Sequence, residues 1–389
     1  MTRTDDRERI DVYVEPVETS LLKITWMWNG CRFLPYSIDR GMVIRSSDKI
    51  RQCLKNLVSH ALAHGVSGSA PLLKSLAEAG SRLYQTLFFE TGYGNPREVK
   101  SWLKSLYREQ RLVITVGDRI YVPWGLIYDS DPKALDDGID VDLFENFWCL
   151  KYLLASKYYR INPMGVKTIS RSIEVIPVIN RTVFETASRD VAKAEGSIVN
   201  QLASGWKGPA FSKQEFFNRW KKITGNDILV YFYCHADGTR LALSADEMIS
   251  LDDFRLELRG KPLSRRGTTT TVVFLNGCST AIGDPNGGFL EATASPDFCG
   301  FLGTETEVPD VFALRFGSAF LREWLNGAGP VFLVMDVLRR KHWPLSLLYS
   351  ICCFPEFQIE KKDKFAGLSE VGTGNFSESE IGNRVLVDE

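Results

Sequence analysis

The sequence predicts an α/β fold: a mostly parallel sheet with helices on both faces, preceded by a small N-terminal α+β segment. Three observations predict it. Two central runs, "DILVYFYC" (227–234) and "TVVFLNGC" (271–278), are apolar on both faces, as strands covered from both sides must be. Segments with helical spacing separate these runs from each other and from their neighbours, the alternation that builds a parallel sheet. Apolar residues make up 44% of the 389 residues and charged residues 24%, enough material for a sizeable core.

Taken in order, "DVYVEPVETSLLKITWMWNGCRFLPYS" alternates in places and carries an Asn-Gly turn signal, which predicts strands joined by a hairpin. Residues 47–64 follow helical spacing, with Ser47 as N-cap and Gly65 as C-cap. Residues 71–90 predict a second helix and "NPREVKSWLKSLYRE" a third. "RLVITVGDRIYVPWGLIYD" predicts two short strands around a turn, followed by a Pro-Trp step at 123–124, and 129–142 an acidic loop. Further on, "SIEVIPVIN" predicts a strand, residues 187–203 a helix and "KQEFFNRWKKI" another. A short helix is expected within 245–259, a basic loop over 258–271, a short strand at "PDFCGFLG", and helices over 310–326 and 328–341. The tail 361–389 is rich in Gly, Ser and Glu and is expected to be loosely held.

Composition excludes several classes. Lys and Arg number 47 against 48 Asp and Glu, so bulk charge predicts neither nucleic-acid nor membrane-surface binding. No apolar run approaches the ~20 residues a membrane span needs. The charged stretch "MTRTDDRERIDVYV" lacks the apolar core of a signal peptide, and a cytoplasmic location is expected. The cysteines, Cys31, Cys53, Cys149, Cys234, Cys278, Cys299, Cys352 and Cys353, form no C-x-x-C pair, which argues against a zinc ribbon and for reduced thiols. No metal and no organic cofactor is expected.

The chemistry is sought at strand ends. "DILVYFYC" runs into His235, and "TVVFLNG" into Cys278, 43 positions later. In a doubly wound sheet, parallel neighbours bring such residues together at their carboxyl ends. A Cys-His dyad then follows, with the imidazole taking the thiol proton and the thiolate attacking a carbonyl. Gly277 and Ser279 let a substrate backbone approach, and N–H groups there and at Ala236, Asp237 and Gly238 are candidate oxyanion donors. Spacing alone equally admits an inert packed cysteine and a capping histidine. His60 and His64 stand at i, i+4 without a third ligand, and His342 ends a helical segment where positive charge suits the macrodipole; all three read as structural.

"YFYCHADG", "VVFLNGCSTA" and "FCGFLGTETEVPDVFALRFGSAFLREWLNG" together resemble the CHAT domain, a caspase-like member of the clan that also holds caspases, separase and gingipains. "LYQTLF" and "VPWGLIYD" are similar to that family's upstream helix and Ile-Pro-Trp step, so the resemblance covers roughly residues 75–355. It implies a caspase-like sheet and the division 1–74 (N-terminal segment), 75–360 (CHAT domain, halves 75–165 and 170–360) and 361–389 (tail). It also implies His235 as general base and Cys278 as nucleophile. The family's His-Gly is here His-Ala-Asp-Gly, which shifts the oxyanion donor to Asp237 or Gly238, and Asp237 is an alternative partner for the imidazole. Asn276 stands where basic-specific relatives carry an acid, and it joins Glu305, Glu307 and Asp310 as a candidate for the P1 pocket.

The resemblance implies a cysteine endopeptidase that cleaves a specific protein, a regulated effector of bacterial defence or cell suicide. The first ~75 residues are few for a sensor domain, so activation is expected from a protein partner or self-association. The alternative is a catalytically inactive CHAT-like scaffold that binds protein partners. A nucleotide-binding domain is the third reading; its only candidate turn, "GDPNGGFLEA" (283–292), fits no phosphate-loop pattern.

Overall fold

The computed structural model describes residues 9–28, 31–33, 35–89, 91–93, 96–105, 111–117, 122–133, 145–158, 168–169, 173–191, 193–202, 206, 208–223, 227–259, 271–282, 287–293, 298–353 and 357–359. Residue contacts divide the chain into one unit of residues 1–57 and 67–159 and a second of 58–66 and 160–389. The second strand of "RLVITVGDRIYV", most of the acidic loop, the basic loop from 260 and the tail lie outside the described residues.

The first unit holds β1 (Arg9–Pro16), β2 (Leu21–Trp28), β3 (Cys31–Arg32), β4 (Tyr36–Asp39), α1 (Arg40–His64) as far as Leu57, α2 (Ala70–Phe88), β5 (Thr91–Tyr93), α3 (Pro96–Ser105), β6 (Arg111–Val116), α4 (Trp148–Lys151) and β7 (Leu153–Tyr158). Its strands run β5-β4-β2-β1-β6-β7. The predicted N-terminal strands pair antiparallel, Val12 facing Trp26, and β6 lies parallel to β1 and β7. Helix α1 begins seven residues before the expected Ser47, because the Asp39 carboxylate accepts the Met42 N–H at 2.6 Å and caps it there. Ser47 is interior to the helix and its hydroxyl donates back to the Val43 carbonyl at 2.8 Å. Gly65 does follow the helix, with a left-handed φ of 73° and its N–H on the Ala61 carbonyl.

The second unit continues with β8 (Thr168–Ile169), β9 (Ile173–Ile179), α5 (Arg181–Arg189), α6 (Lys193–Leu202), α7 (Lys213–Lys222), β10 (Asp227–Tyr233), β11 (His235–Ala236), β12 (Arg240–Ala242), β13 (Met248–Ser250) and α8 (Leu251–Arg259). It then adds β14 (Thr271–Asn276), α9 (Phe289–Ala292), β15 (Phe298–Thr304), α10 (Asp310–Leu325), α11 (Val331–Lys341), β16 (Tyr349–Cys353) and β17 (Gln358–Ile359). The single helix expected over 187–203 is two helices. Asn180 caps the first by accepting the Val183 N–H at 3.2 Å, and the chain turns at Asp190 before the second begins.

The main strands of this unit run β16-β15-β14-β10-β9. Four are parallel and β16 is antiparallel to β15. Every residue of β10 and β14 is buried, as their two-sided apolar pattern requires. On one face Phe232 packs against Phe216 of α7 and Phe254 of α8. On the other, Phe274 meets Phe320 of α10, and Tyr233 meets Phe184 of α5. Burial of each such aromatic contributes on the order of 2 kcal/mol, so this double cover fixes the register of the strands and hence where their ends emerge. The fold is a mixed α/β architecture with a mostly parallel sheet. Among the described residues no helix is long and apolar enough to cross a membrane.

Candidate active site

Strands β10 and β14 pair in parallel with Tyr233 opposite Asn276. His235 and Cys278 each follow two residues later, so both leave the sheet at the same level. The strand alternation puts residues 231 and 233 on the side of 274 and 276, the side covered by α10. His235 opens β11, a short strand paired through Ala242 of β12, and it is exposed. Cys278 is a free thiol at intermediate exposure, whereas Cys53, Cys149, Cys234, Cys352 and Cys353 are buried.

Glycines draw the two strand ends together. A Cβ on Gly277 would collide with the Cys234 carbonyl and lie 3.2 Å from Ala236 Cβ, so only glycine lets the two backbones touch here. Gly238 adopts a left-handed φ of 86°, and a Cβ there would approach the Ser279 carbonyl to 3.4 Å. The segments 234–238 and 277–279 are therefore in direct backbone contact.

The turn bearing Cys278 is stapled to the end of β15. Ser279 has a φ of 56°, the one positive φ of a non-glycine residue among the described residues. Its N–H donates to the Thr306 carbonyl at 2.9 Å, and the Ala281 N–H to the Thr304 carbonyl at 2.9 Å. The Thr280 hydroxyl donates to the Leu275 carbonyl at 2.9 Å and accepts the Thr304 N–H at 3.0 Å, while the Thr304 hydroxyl donates to the Gly277 carbonyl. These bonds occupy the Ser279 N–H. The Asp237 N–H is likewise on the Arg240 carbonyl, at 3.2 Å. Among the described residues no partner is found for the N–H groups of Gly238 and Cys278.

Asn276 lies beneath the site in the core, 1% exposed. Its amide nitrogen donates to Tyr231 Oη at 2.9 Å and to the Ala313 carbonyl at 2.7 Å, and its oxygen accepts from Tyr349 Oη at 2.7 Å. Gly317 of α10 leaves the space this network fills. Asn276 thus braces the floor and offers no group to a pocket. Glu305 is also buried, with the Ser350 hydroxyl donating to its carboxylate at 2.5 Å. Glu307 is exposed; Asp310 is exposed as a residue while its carboxyl lies partly covered.

Burial pushes the Cys278 thiol above its usual range; the Val308 N–H, donated to the sulfur, works against this, and the charges of Asp310 and Glu307 add to it. Burial raises the Asp310 carboxyl as well, while the charge of His235 lowers it. Asp237 meets some burial, but hydrogen bonds from Thr239 and Arg240 outweigh it and hold its carboxyl low. The sequence-predicted residues His235, Ala236, Gly238, Gly277, Cys278 and Ser279 come together, joined by Glu307 and Asp310. Sequence reasoning missed Val308, Asn180 and Tyr233. Asn180 carries a signal, an Asn between an apolar strand and a helix; Val308 acts through its backbone and carries none.

His342, expected as a charged helix end, is instead buried between Phe312 and Phe316, with burial and the charges of Lys341, Arg322 and Arg315 pushing its imidazole down to about 4. The His60 and His64 rings stand 5.1 Å apart on α1, and among the described residues no group of three His, Cys, Asp or Glu is placed to hold a metal ion.

No family model and no curated protein matches this chain. Solved structures do. Separase of Saccharomyces cerevisiae in its complex with securin, at 3.0 Å resolution, is 9% identical with a TM-score of 0.48, over 90% of this chain and 30% of that one. The 2.6 Å structure of the same complex gives 10% identity and a TM-score of 0.46 over the same shares. The complex of the pro- and mature domains of RgpB from Porphyromonas gingivalis is 11% identical with a TM-score of 0.39, over 82% of this chain and 78% of that one. The chain spans 30% of the length of the separase chains it matches.

Proposed function

We propose that the protein is a caspase-like cysteine endopeptidase with Cys278 as nucleophile and His235 as general base. The observation that carries this reading is the backbone contact at Gly277, which seats the ends of two parallel strands against each other with a histidine and an open thiol at the same level. His235 takes the thiol proton, and the sulfur forms a bond to the scissile carbonyl carbon. The carbonyl electron pair moves to oxygen, where the N–H groups of Gly238 and Cys278 receive it. Collapse expels the amine, which takes the proton from the imidazolium, and leaves a thioester that water hydrolyses by the same steps. Glu307 is exposed and its charge reaches the thiol, which favours a basic side chain at P1.

Burial and the charges of Asp310 and Glu307 disfavour the Cys278 thiolate, and an activating protein partner or self-association that relieves them fits this arrangement. Together with the resemblance to CHAT domains, this favours a regulated effector in bacterial defence or cell suicide, acting on one protein substrate. The same raised thiol also favours a second reading, an inactive scaffold that binds partners without cleaving them. Expressing wild type and Cys278→Ala in lysate with the neighbouring genes, and sequencing new protein N-termini, separates the two. Termini made only by wild type support the peptidase; identical termini, with both proteins folded, leave the scaffold.

A further inference from the structure

Thr304, the last residue of β15, is fully buried and spends each of its polar groups on the turn that carries Cys278. Its hydroxyl donates to the Gly277 carbonyl and accepts the Thr280 N–H at 3.4 Å. Its backbone N–H donates to the Thr280 hydroxyl at 3.0 Å, and its carbonyl accepts the Ala281 N–H at 2.9 Å. Thr280, also fully buried, places a second hydroxyl 3.4 Å from the same Gly277 carbonyl. Gly303 leaves room for that hydroxyl, since a Cβ there would stand 2.9 Å from its oxygen.

These bonds have a directional consequence. A trans peptide is planar, and its carbonyl and N–H point in opposite directions. The peptide joining Gly277 to Cys278 has its carbonyl drawn inward by buried hydroxyls. Its N–H, which belongs to Cys278, therefore faces away from the Thr280–Thr304 pair. The next N–H along the chain, that of Ser279, is taken by the Thr306 carbonyl at 2.9 Å.

We propose that Thr304 is a positioning residue for the oxyanion site: by holding the Gly277 carbonyl, its hydroxyl fixes the Cys278 N–H in the direction from which it donates to a developing oxyanion. This rests on the Cys278–His235 reading above. The plainer role is a brace for the whole turn, in which Thr304 supports the thiol as much as the N–H. Reaction type separates the two. His235 takes the thiol proton in either reaction. Alkylation by iodoacetamide then joins sulfur to the methylene carbon, expels iodide and forms no oxyanion. Acylation by p-nitrophenyl acetate joins sulfur to the carbonyl carbon and moves the electron pair to oxygen; its return expels p-nitrophenolate. Only acylation uses the Cys278 N–H.

The test uses the full chain, both reagents at neutral pH, and mass spectrometry to follow Cys278. Loss of one oxyanion donor costs ~10²–10³ against a full substrate, and about 10-fold is expected against this small ester. We expect Thr304→Val to slow acylation by that factor and leave alkylation unchanged, and Thr304→Ser, which keeps the hydroxyl, to restore acylation. Thermal melts check that each variant folds. Hydrogen exchange reads the same geometry in the wild type without a substitution: the Ser279 and Ala281 amides should be protected and the Cys278 amide open. Acylation and alkylation falling together in Thr304→Val overturns the proposal, and so does a protected Cys278 amide. If the wild-type ratio of acylation to alkylation at Cys278 equals that in the urea-unfolded chain, there is no oxyanion site, and the peptidase reading fails with the proposal. A higher wild-type ratio that persists in Thr304→Val overturns the proposal alone.

Discussion

Asn180 donates from its side-chain nitrogen to the Ala242 carbonyl at 3.0 Å, and Ala242 is the ladder partner of His235. One side chain at the end of β9 therefore caps α5 and steadies the short strand that carries the candidate base. Asn180→Ala removes both bonds and should destabilise the fold by about 1–2 kcal/mol. Asn180→Asp keeps the cap acceptor and loses only the donor to Ala242. Urea unfolding should show most of the stability retained in the aspartate variant, while Cys278 alkylation falls in both. Equal alkylation in wild type and both variants would mean that the Ala242 brace does not reach His235.

Gly277 separates the two strand ends by no more than a hydrogen atom. Gly277→Ala should cost about 1–3 kcal/mol as the backbones part. Small-angle changes at the site should then appear as altered amide chemical shifts at residues 234–238. A variant as stable as wild type, with those shifts intact, would contradict the contact.

Cys278 should react with iodoacetamide before the buried cysteines do. Burial holds its thiol above the usual range, so its rate should keep rising to higher pH than that of an exposed thiol. The charge of Glu307 opposes the thiolate, so Glu307→Gln should move this profile toward lower pH. A profile that shifts the other way would place Glu307 outside the field of the thiol.

His342 makes stability depend on pH. Its folded value, about 4, lies below the unfolded 6.5, so between these the unfolded chain binds the extra proton. Its contribution is complete above pH 6.5 and is lost as the pH falls toward 4, by about 3 kcal/mol. The charges of Lys341, Arg322 and Arg315 act on the ring and strengthen the effect. His342→Leu should flatten the stability profile over this window in denaturant titrations; an unchanged slope would show that other groups set it.

The parts legible in the sequence were those written in side chains. The two-sided apolar runs at 227–233 and 271–276 announced buried parallel strands, which bring His235 and Cys278, each two residues past a paired strand end, to the same level. Helix starts were less legible, because Asp39 and Asn180 each competed with later polar residues, and a cap is decided by local backbone geometry. The pocket candidates divided by burial. Asn276 and Glu305 are polar yet spent in the core, on Tyr231, Tyr349, Ala313 and Ser350, which a linear pattern does not reveal. The Val308 N–H at the thiol was invisible, since every residue but proline carries that group.

The left-handed backbone at Ser279 sets a tolerance profile for the residue after Cys278. Its N–H is committed to Thr306, so its conformation, and not its hydroxyl, is what the turn requires. A saturation library at this position should rank glycine and asparagine at the top and valine and isoleucine at the bottom, the order of their cost in that region of backbone space. Diversity among natural or designed versions of this turn is then a record of torsion angles, to be read separately from any record of substrate choice.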